Sequence, residues 1–197
     1  EIEAVTGVQT CALPISQAIA KINRTLHDDI AQNPVAAITK HRLMSLSNAK
    51  REMDTGLDRI IAQEVSELAF NHTHICPFNN TCPKEVIDLF GEVNCCSACP
   101  YAIRGVAHLP AVSARKDKYK ELMVGSLKVI ERYLTRKPEA RTRTELEQLE
   151  QENDRFAREA CLLEAIEHQL VQMYESGLDQ ELIDRKSTRL NSSHRLY

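Results

Sequence analysis

The most informative segment of the sequence is the cysteine-rich run CPFNNTCPKEVIDLFGEVNCCSACPY, residues 76–101. It holds five of the seven cysteines of this 197-residue chain, in the pattern C-x5-C-x12-C-C-x2-C. Two cysteine pairs separated by a short insert can meet around one tetrahedral ion, and thiolate sulfur suits zinc. The sequence therefore predicts a structural zinc site with four thiolate ligands, which are Cys76, Cys82, Cys96 and Cys99.

Other ligand sets and other metals fit the same segment. Adjacent cysteines rarely both bind one ion, so Cys95 is the spare thiol, and His74 is an alternative ligand. An iron–sulfur cluster is the second interpretation, because three of the cysteines are followed by Pro, although the spacing matches neither ferredoxin pattern. The third interpretation is a set of buried or disulfide-paired cysteines without metal.

A closed four-thiolate site has no open coordination position, so it would not activate water. The cysteine-rich segment is polar and offers little apolar surface of its own, and bound zinc would supply the folding energy that it lacks. The predicted metal thus points to structure or recognition and away from hydrolysis.

On the amino-terminal side of this segment, apolar residues recur at helical spacing. We expect one helix over 17–32 and a long one over 34–70. Asn33 followed by Pro34 is a good start signal for the second helix. Gly56 would weaken that helix modestly from its interior.

Further helices are expected within and after the cysteine-rich segment. A short one would run over 83–90 and end at Gly91, and longer ones over 110–136 and 140–175, with Gly177 as the last stop. No stretch shows a convincing strand pattern. The predicted fold class is therefore all-α, with long helices flanking a cysteine-rich, irregular metal-binding knuckle.

The last predicted helix carries a short heptad pattern, with Asn153 at a core position where such a residue can fix register. One interpretation is an amphipathic helix packed on its own domain, which so short a pattern favours. The alternative is an interaction module that forms a homodimer through 140–175. The apolar positions of the pattern are Leu146, Leu149, Phe156, Ala160, Leu163 and Leu170.

Charge excludes a strongly basic nucleic-acid binder. Without residues 1–16 and 184–197, four Lys/Arg and three Asp/Glu drop out of 25 and 28, which leaves 21 basic and 25 acidic side chains and a net charge of −4. Basic residues nevertheless cluster after the cysteines, where they could meet DNA phosphates or simply face solvent. The speculative DNA contacts are Arg115, Lys116, Lys118 and Lys120.

No catalytic motif is visible. The chain has no phosphate-binding glycine loop, no H-E-x-x-H and no G-x-S-x-G, so we assign no catalytic residue and leave enzymatic activity open. No small-molecule substrate is evident. No apolar run reaches the ~18 residues of a membrane span, so we expect no membrane association. Clustered cysteines without a visible secretory signal favour a reducing, cytoplasmic location.

The two ends of the chain resemble translated sequencing adapter. Each of the eleven residues 5–15 can be encoded by the reverse complement of a codon for its mate in 184–194 read backward, all in one frame. We therefore expect 1–16 and 184–197 to be adapter-derived tails without evolved packing partners. The native portion, about 17–183, would be an internal part of a longer protein.

The expected organisation between the tails is a helical segment over 17–70, the cysteine-rich knuckle over 71–109 and a helical hairpin over 110–183. The run from Cys76 to Tyr119 resembles a cysteine-rich region of large phage-integrase-like proteins of bacterial mobile elements, those associated with the gamma-mobile-trio. The resemblance implies an accessory region of a protein of site-specific DNA recombination. The chain has no H-x-x-R box of a recombinase, so no catalytic residue is carried over.

Overall fold

The computed structural model describes the backbone of residues 12–46, 54–64 and 67–193, and side chains from residue 20 to 177 within those ranges. This described part is mostly helical, as predicted, but it also contains a small four-stranded sheet. Its α-helices are α1 Ala12–Gln32, α2 Pro34–Lys40, α3 Gly56–Ile61, α4 Lys84–Phe90, α5 Leu109–Leu134 and α6 Arg143–Ser193.

The sheet corrects the expectation that the chain has no strands. Its spatial order is β1–β4–β3–β2, and the β2–β3 and β3–β4 pairs are antiparallel. Each strand is two residues long, which is too short to show the alternation that reveals a strand in sequence. The strands are β1 Met44–Ser45, β2 Ala69–Phe70, β3 Ile75–Cys76 and β4 Ile103–Arg104.

The chain divides into two compact units. The first comprises residues 1–94 and 100–103, and the second comprises residues 95–99 and 104–197. The predicted knuckle segment 71–109 contributes to both units.

The first unit has one apolar core, formed by side chains from α1, α2, α3 and the sheet. Asn33 caps α2 as predicted, because its side chain accepts the Ala36 amide at 3.0 Å. Asp29 on α1 accepts hydrogen bonds from Lys40 and His41 at the end of α2, and these two partners lower the pKa of its carboxyl group. The buried core residues are Leu26, Ile30, Ala37, Leu43, Ile60, Ile75 and Ile103.

The long helix predicted over 34–70 is wrong. The helix that starts at Pro34 ends at Lys40, and Arg42 then takes a left-handed backbone conformation with φ 47°. The Leu43 amide bonds back to the Ile38 carbonyl at 2.9 Å, which closes the helix end. Of the apolar residues that gave the helical spacing, Ile38, Leu57, Ile60 and Leu68 pack into the core from several short elements, whereas Val35 and Ile61 are exposed.

In the second unit, α5 and α6 are joined by a short connection after Tyr133, whose hydroxyl bonds the carbonyl of Thr142 at 2.7 Å and accepts its amide at 2.6 Å. The helix predicted over 110–136 is confirmed as α5. The carboxyl-terminal half of the heptad face is buried inside this unit, which matches an amphipathic helix packed on its own domain. Its buried members are Ala160, Leu163 and Leu170, and the neighbouring Ile166, outside the heptad pattern, is buried with them.

The predicted stop at Gly177 is wrong, because α6 continues through it to Ser193. One glycine costs a helix interior about 1 kcal/mol, which a long helix absorbs. Helical backbone thus extends into both predicted tails, while their side chains and residues 1–11 and 194–197 lie outside the described part. The expectation that the tails pack weakly concerns these side chains, so it also lies outside the described residues. No helix in the described ranges combines the length and apolar composition needed to cross a membrane.

Candidate metal centre

The predicted ligands are distributed between the two units. Cys76 and Cys82 belong to the first, and Cys96 and Cys99, with the spare Cys95, belong to the second. No disulfide joins any of these five cysteines or Cys161 on α6 within the described part of the chain, and Cys11 lies outside it. The two pairs of predicted ligands therefore belong to different units.

The five residues between Cys76 and Cys82 form a tight loop. Cys76 ends β3, and the Thr81 amide then donates to the Phe78 carbonyl at 2.8 Å across two left-handed residues, Asn79 and Asn80. Asparagine tolerates this conformation better than most residues. The five-residue spacing between Cys76 and Cys82 is longer than the spacing in a common zinc knuckle, and this turn accommodates the extra length.

Side chains hold this turn in place. The Asn79 amide group donates to a Glu67 carboxylate oxygen at 2.7 Å, and the Asn71 amide group donates to the Asn80 side-chain oxygen at 2.8 Å. Because two-residue strands have few ladder bonds of their own, these contacts position the loop that carries the first cysteine pair.

The sulfur of Cys82 accepts a hydrogen bond. The backbone amide of Asn94 donates to it at 3.5 Å, and Asn94 adopts a left-handed conformation with φ 63° to do so. Backbone amides also donate hydrogen bonds to the sulfur atoms of metal-bound cysteines.

His74, the alternative ligand, is buried in the hairpin between β2 and β3. Its Nδ1 lies 3.1 Å from the Thr73 hydroxyl and its Nε2 lies 3.2 Å from the Asn71 amide nitrogen. A metal at either ring nitrogen would have to displace one of these side chains.

The second cysteine group forms a turn anchored to α6. The Ala98 amide donates to the Cys95 carbonyl at 3.0 Å, and Cys95 itself is buried. The Ser97 hydroxyl donates to the Glu159 carboxylate on α6 at 2.8 Å. This hydrogen bond fixes the C-C-x-x-C turn to the long helix.

Arg104 lies against this turn and is 1% exposed. Its guanidinium donates to the Cys96 carbonyl. Burial lowers the pKa of Arg104 to about 10, and its electrostatic interactions with Cys99, Cys96 and Glu159 oppose that shift. The turn therefore surrounds a buried cation with two thiols and one carboxylate.

An arginine-centred cluster in the first unit was not foreseen from the sequence. The Arg59 guanidinium lies 5.7 Å from the Phe78 ring centroid and 5.5 Å from that of Tyr101, and the two rings meet edge to face at 5.1 Å. Glu64 at 3.1 Å and Glu85 at 3.8 Å balance the charge. This cluster joins the first cysteine loop, through Phe78, to the chain that follows Pro100.

Gly56 is the second unforeseen feature. It is the first residue of α3, where the Thr55 hydroxyl and the Asp58 carboxylate form a capping box. A Cβ at Gly56 would lie 2.2 Å from the Tyr101 carbonyl oxygen and 2.6 Å from Ile103 Cγ1. The capping sequence T-x-x-D could have placed this helix start in advance.

The four basic residues predicted as DNA contacts differ in their surroundings. Lys116 bonds Glu167 at 2.7 Å, and Lys120 bonds Glu164 at 2.9 Å, so both are paired within the helical hairpin. Arg115 lies over the ring of Tyr119 with its guanidinium carbon 5.7 Å from the centroid. Arg115 and Lys118 are exposed.

Among the side chains that the structure describes, no three or more His, Cys, Asp or Glu are grouped as they would be around a metal ion. Comparison of the chain with protein-family profiles, with curated proteins and with solved structures gives no match.

Proposed function

We propose that this chain is a zinc-stabilised helical accessory region of an integrase-type protein that serves site-specific recombination of a mobile element. The proposed ligands are the thiolates of Cys76, Cys82, Cys96 and Cys99. The observation that carries the zinc proposal is the guanidinium of Arg104, buried beside the second cysteine pair.

A buried guanidinium needs negative charge close by, because removing it from water is costly. The groups that supply this charge to Arg104 are the thiols of Cys96 and Cys99 and the carboxylate of Glu159. A thiol offers negative charge only as thiolate, and four thiolates around Zn²⁺ keep a net negative charge. A cation that orients and balances the ligand shell is typical of the groups behind metal ligands.

The first cysteine pair supports the same proposal through the Asn94 amide that donates to Cys82. Backbone amides directed at sulfur stabilise a bound thiolate in zinc and in iron–sulfur sites alike. The residues therefore suit a sulfur-ligated metal, and zinc is preferred because the cysteine spacing matches neither ferredoxin pattern.

Zinc would here stabilise the fold. The sheet has strands of two residues, and so small a sheet is at best marginally stable in water without further support. Bound metal converts its binding free energy into folding free energy. With all four positions filled by sulfur, the site supplies no water for hydrolysis, so the proposed role is structural.

The DNA-contacting part of the proposal depends on the exposed Arg115 and Lys118. Lys116 and Lys120 are paired with glutamates, so they have less charge to offer a phosphate. The assignment to an integrase-type protein is supported by the resemblance of residues 76–119 alone. A DNA role requires an affinity for duplex DNA that falls as salt concentration rises and that the double change R115Q/K118Q weakens.

The zinc proposal is tested by elemental analysis of the purified full chain, with Cys96→Ser and Cys161→Ser as a matched pair. Cys161 is an exposed thiol on α6 outside the cluster. We expect zinc at one equivalent per chain, lost in C96S and kept in C161S. Bound iron with absorbance at about 400 nm would establish the iron–sulfur alternative instead. A chain that binds neither metal would overturn both.

A further inference from the structure

Gly125 occupies the middle of α5, on an exposed face of the second unit. Apart from its chain neighbours and the backbone of its own helix, no atom of the described residues lies within 4 Å of the position that its Cβ would take. Glycine destabilises a helix interior, and nothing packed against Gly125 within the chain accounts for its presence. A glycine on an open helix face permits another backbone to approach closely.

Large apolar side chains flank this glycine on the same face. Leu122, one turn before it, is 38% exposed, and Val129, one turn after it, is 39% exposed. Together Leu122, Gly125 and Val129 form what we call the α5 stripe. Exposed apolar residues are ordinary one by one, but a row of them around an unexplained glycine indicates a contact surface.

The α5 stripe borders a groove between α5 and α6 that Phe156 and Glu152 line from the α6 side. Ser126 also lines it and is 8% exposed, yet its hydroxyl makes no hydrogen bond within the described part of the chain. A buried hydroxyl without a partner is rare in a finished interior. Its oxygen is shielded from solvent by the chain itself, so the groove, and not this hydroxyl, is what a partner could fill.

The charged residues beside the α5 stripe indicate that its binding partner is a second copy of this chain. Glu121 and Lys128 are both exposed and lie one turn to either side of Gly125. A two-fold axis near Gly125 would run two α5 helices antiparallel and bring Glu121 of each copy to Lys128 of the other. A self-complementary patch of this kind is the requirement for a two-fold homodimer.

We propose that α5 binds α5 of a second copy of this chain in an antiparallel crossing centred on Gly125. Leu122 of each copy lies over Val129 of the other, and two Glu121–Lys128 ion pairs fix the register. This surface lies on α5, whereas the dimer predicted from the heptad pattern uses α6. The inference goes beyond the proposed function and does not depend on zinc.

The test is sedimentation equilibrium of the full chain between about 1 and about 100 µM, the range for a small interface. We expect reversible dimers. Glu121→Lys and Lys128→Glu should each weaken association at least about tenfold, and the double variant E121K/K128E should restore it. A double variant no better than the single variants would overturn the proposal.

Two further variants separate loss of contact from loss of folding. Gly125→Gln should abolish the dimer while the thermal midpoint of the helical signal stays level or rises, because Gln forms helix better than Gly. Leu122→Gln should weaken the dimer, and Leu127→Gln should not, since Leu127 is equally apolar but lies about 200° around the helix from Gly125. A chain that stays monomeric, or one that L127Q disrupts as strongly as L122Q, would refute the inference.

Zinc content measured on the same samples keeps the two proposals distinct. An unaltered chain that holds zinc but stays monomeric would count against the α5 contact alone, and an unaltered chain that dimerises without bound zinc would count against the metal alone. DNA is the competing occupant of this face. A monomeric chain that binds duplex DNA, with binding weakened by Gly125→Glu, would assign the stripe to DNA and overturn the dimer.

Discussion

The two units reach stability by opposite means. The first combines the 21-residue helix α1 with short helices and two-residue strands, and it has left-handed residues at its turns and an arginine beside two aromatic rings. The second is built from two long helices that pack along one another. The first therefore depends on a few positions with exact steric demands, whereas the second spreads its stability over many similar contacts.

The two glycines Gly56 and Gly125 show this difference at single positions. A Cβ at Gly56 would overlap the Tyr101 carbonyl, whereas a Cβ at Gly125 would meet nothing. Glycine is required at the first position by packing within the unit, and at the second nothing within the unit requires it. Four measurements test whether the two units differ in this way.

Metal removal should have the largest effect and should fall mainly on the first unit. If the chain binds zinc as proposed, a strong chelator should abolish the near-ultraviolet signal of Tyr101 and Phe78, because the metal would supply folding energy that the two-residue strands lack. The far-ultraviolet helical signal should largely persist, since α5 and α6 keep their apolar packing. Equal loss of both signals would show that the units unfold together.

Gly56→Ala should destabilise the protein by about 3 kcal/mol, the upper range for overpacking a well-filled site. The clash is with a backbone carbonyl that cannot rotate away, because the Gly56 amide bonds Pro100 at 3.1 Å and Ile103 pairs with Ile75 in the sheet. Urea unfolding followed by near-ultraviolet circular dichroism measures the change. Surface substitutions usually change stability by no more than about 0.5 kcal/mol. A loss no larger than that would mean that α3 shifts freely to relieve the clash.

Gly125→Ala should stabilise the second unit by about 1 kcal/mol, because alanine replaces glycine in an open helix interior. The measurement is thermal unfolding followed at the far-ultraviolet helical band. It is made in dilute solution, where self-association does not contribute. Destabilisation there would show that Gly125 has a packing role within its own chain.

Glu167→Gln should have the smallest effect, about 0.5 kcal/mol, because the pair with Lys116 is only partly buried. Hydrogen bonds from Lys116 and then Ser113 lower the pKa of Glu167 below 4.5. A lowered pKa gives stability that is present above 4.5 and lost as pH falls through the folded-state value. The difference between wild type and E167Q should therefore vanish in acid, and a constant difference would exclude this ion pair as its cause.

The sequence predictions that the structure confirms depend on local signals, such as helix caps and helix breaks. Asn33–Pro34 at the start of α2, the turn after Phe90 with Gly91 left-handed at φ 72°, and the extent of α5 all follow from residues within a few positions of one another. Such caps and breaks depend on backbone geometry that the neighbouring side chains alone decide.

The other features could not be predicted from the sequence, because they depend on contacts between residues that are far apart in the chain. The end of α2 depends on His41 reaching Asp29 on another helix, and the role of Gly56 depends on Tyr101, which lies far along the chain. For the candidate site, the cysteines could be named from their spacing. The burial of Arg104 and the Asn94 amide at Cys82 could not, because both depend on how the chain folds back.

The hydrogen bond from Ser97 to Glu159 spans 62 residues of sequence, and this separation has a kinetic consequence. Contacts between distant residues form late, because loop closure has to precede them. The turn that carries Cys96 and Cys99 can be anchored only after α6 has docked on α5. The helical hairpin thus acts as a folding template for this turn. If the turn binds metal as proposed, the rate of metal capture should follow the rate at which that hairpin forms.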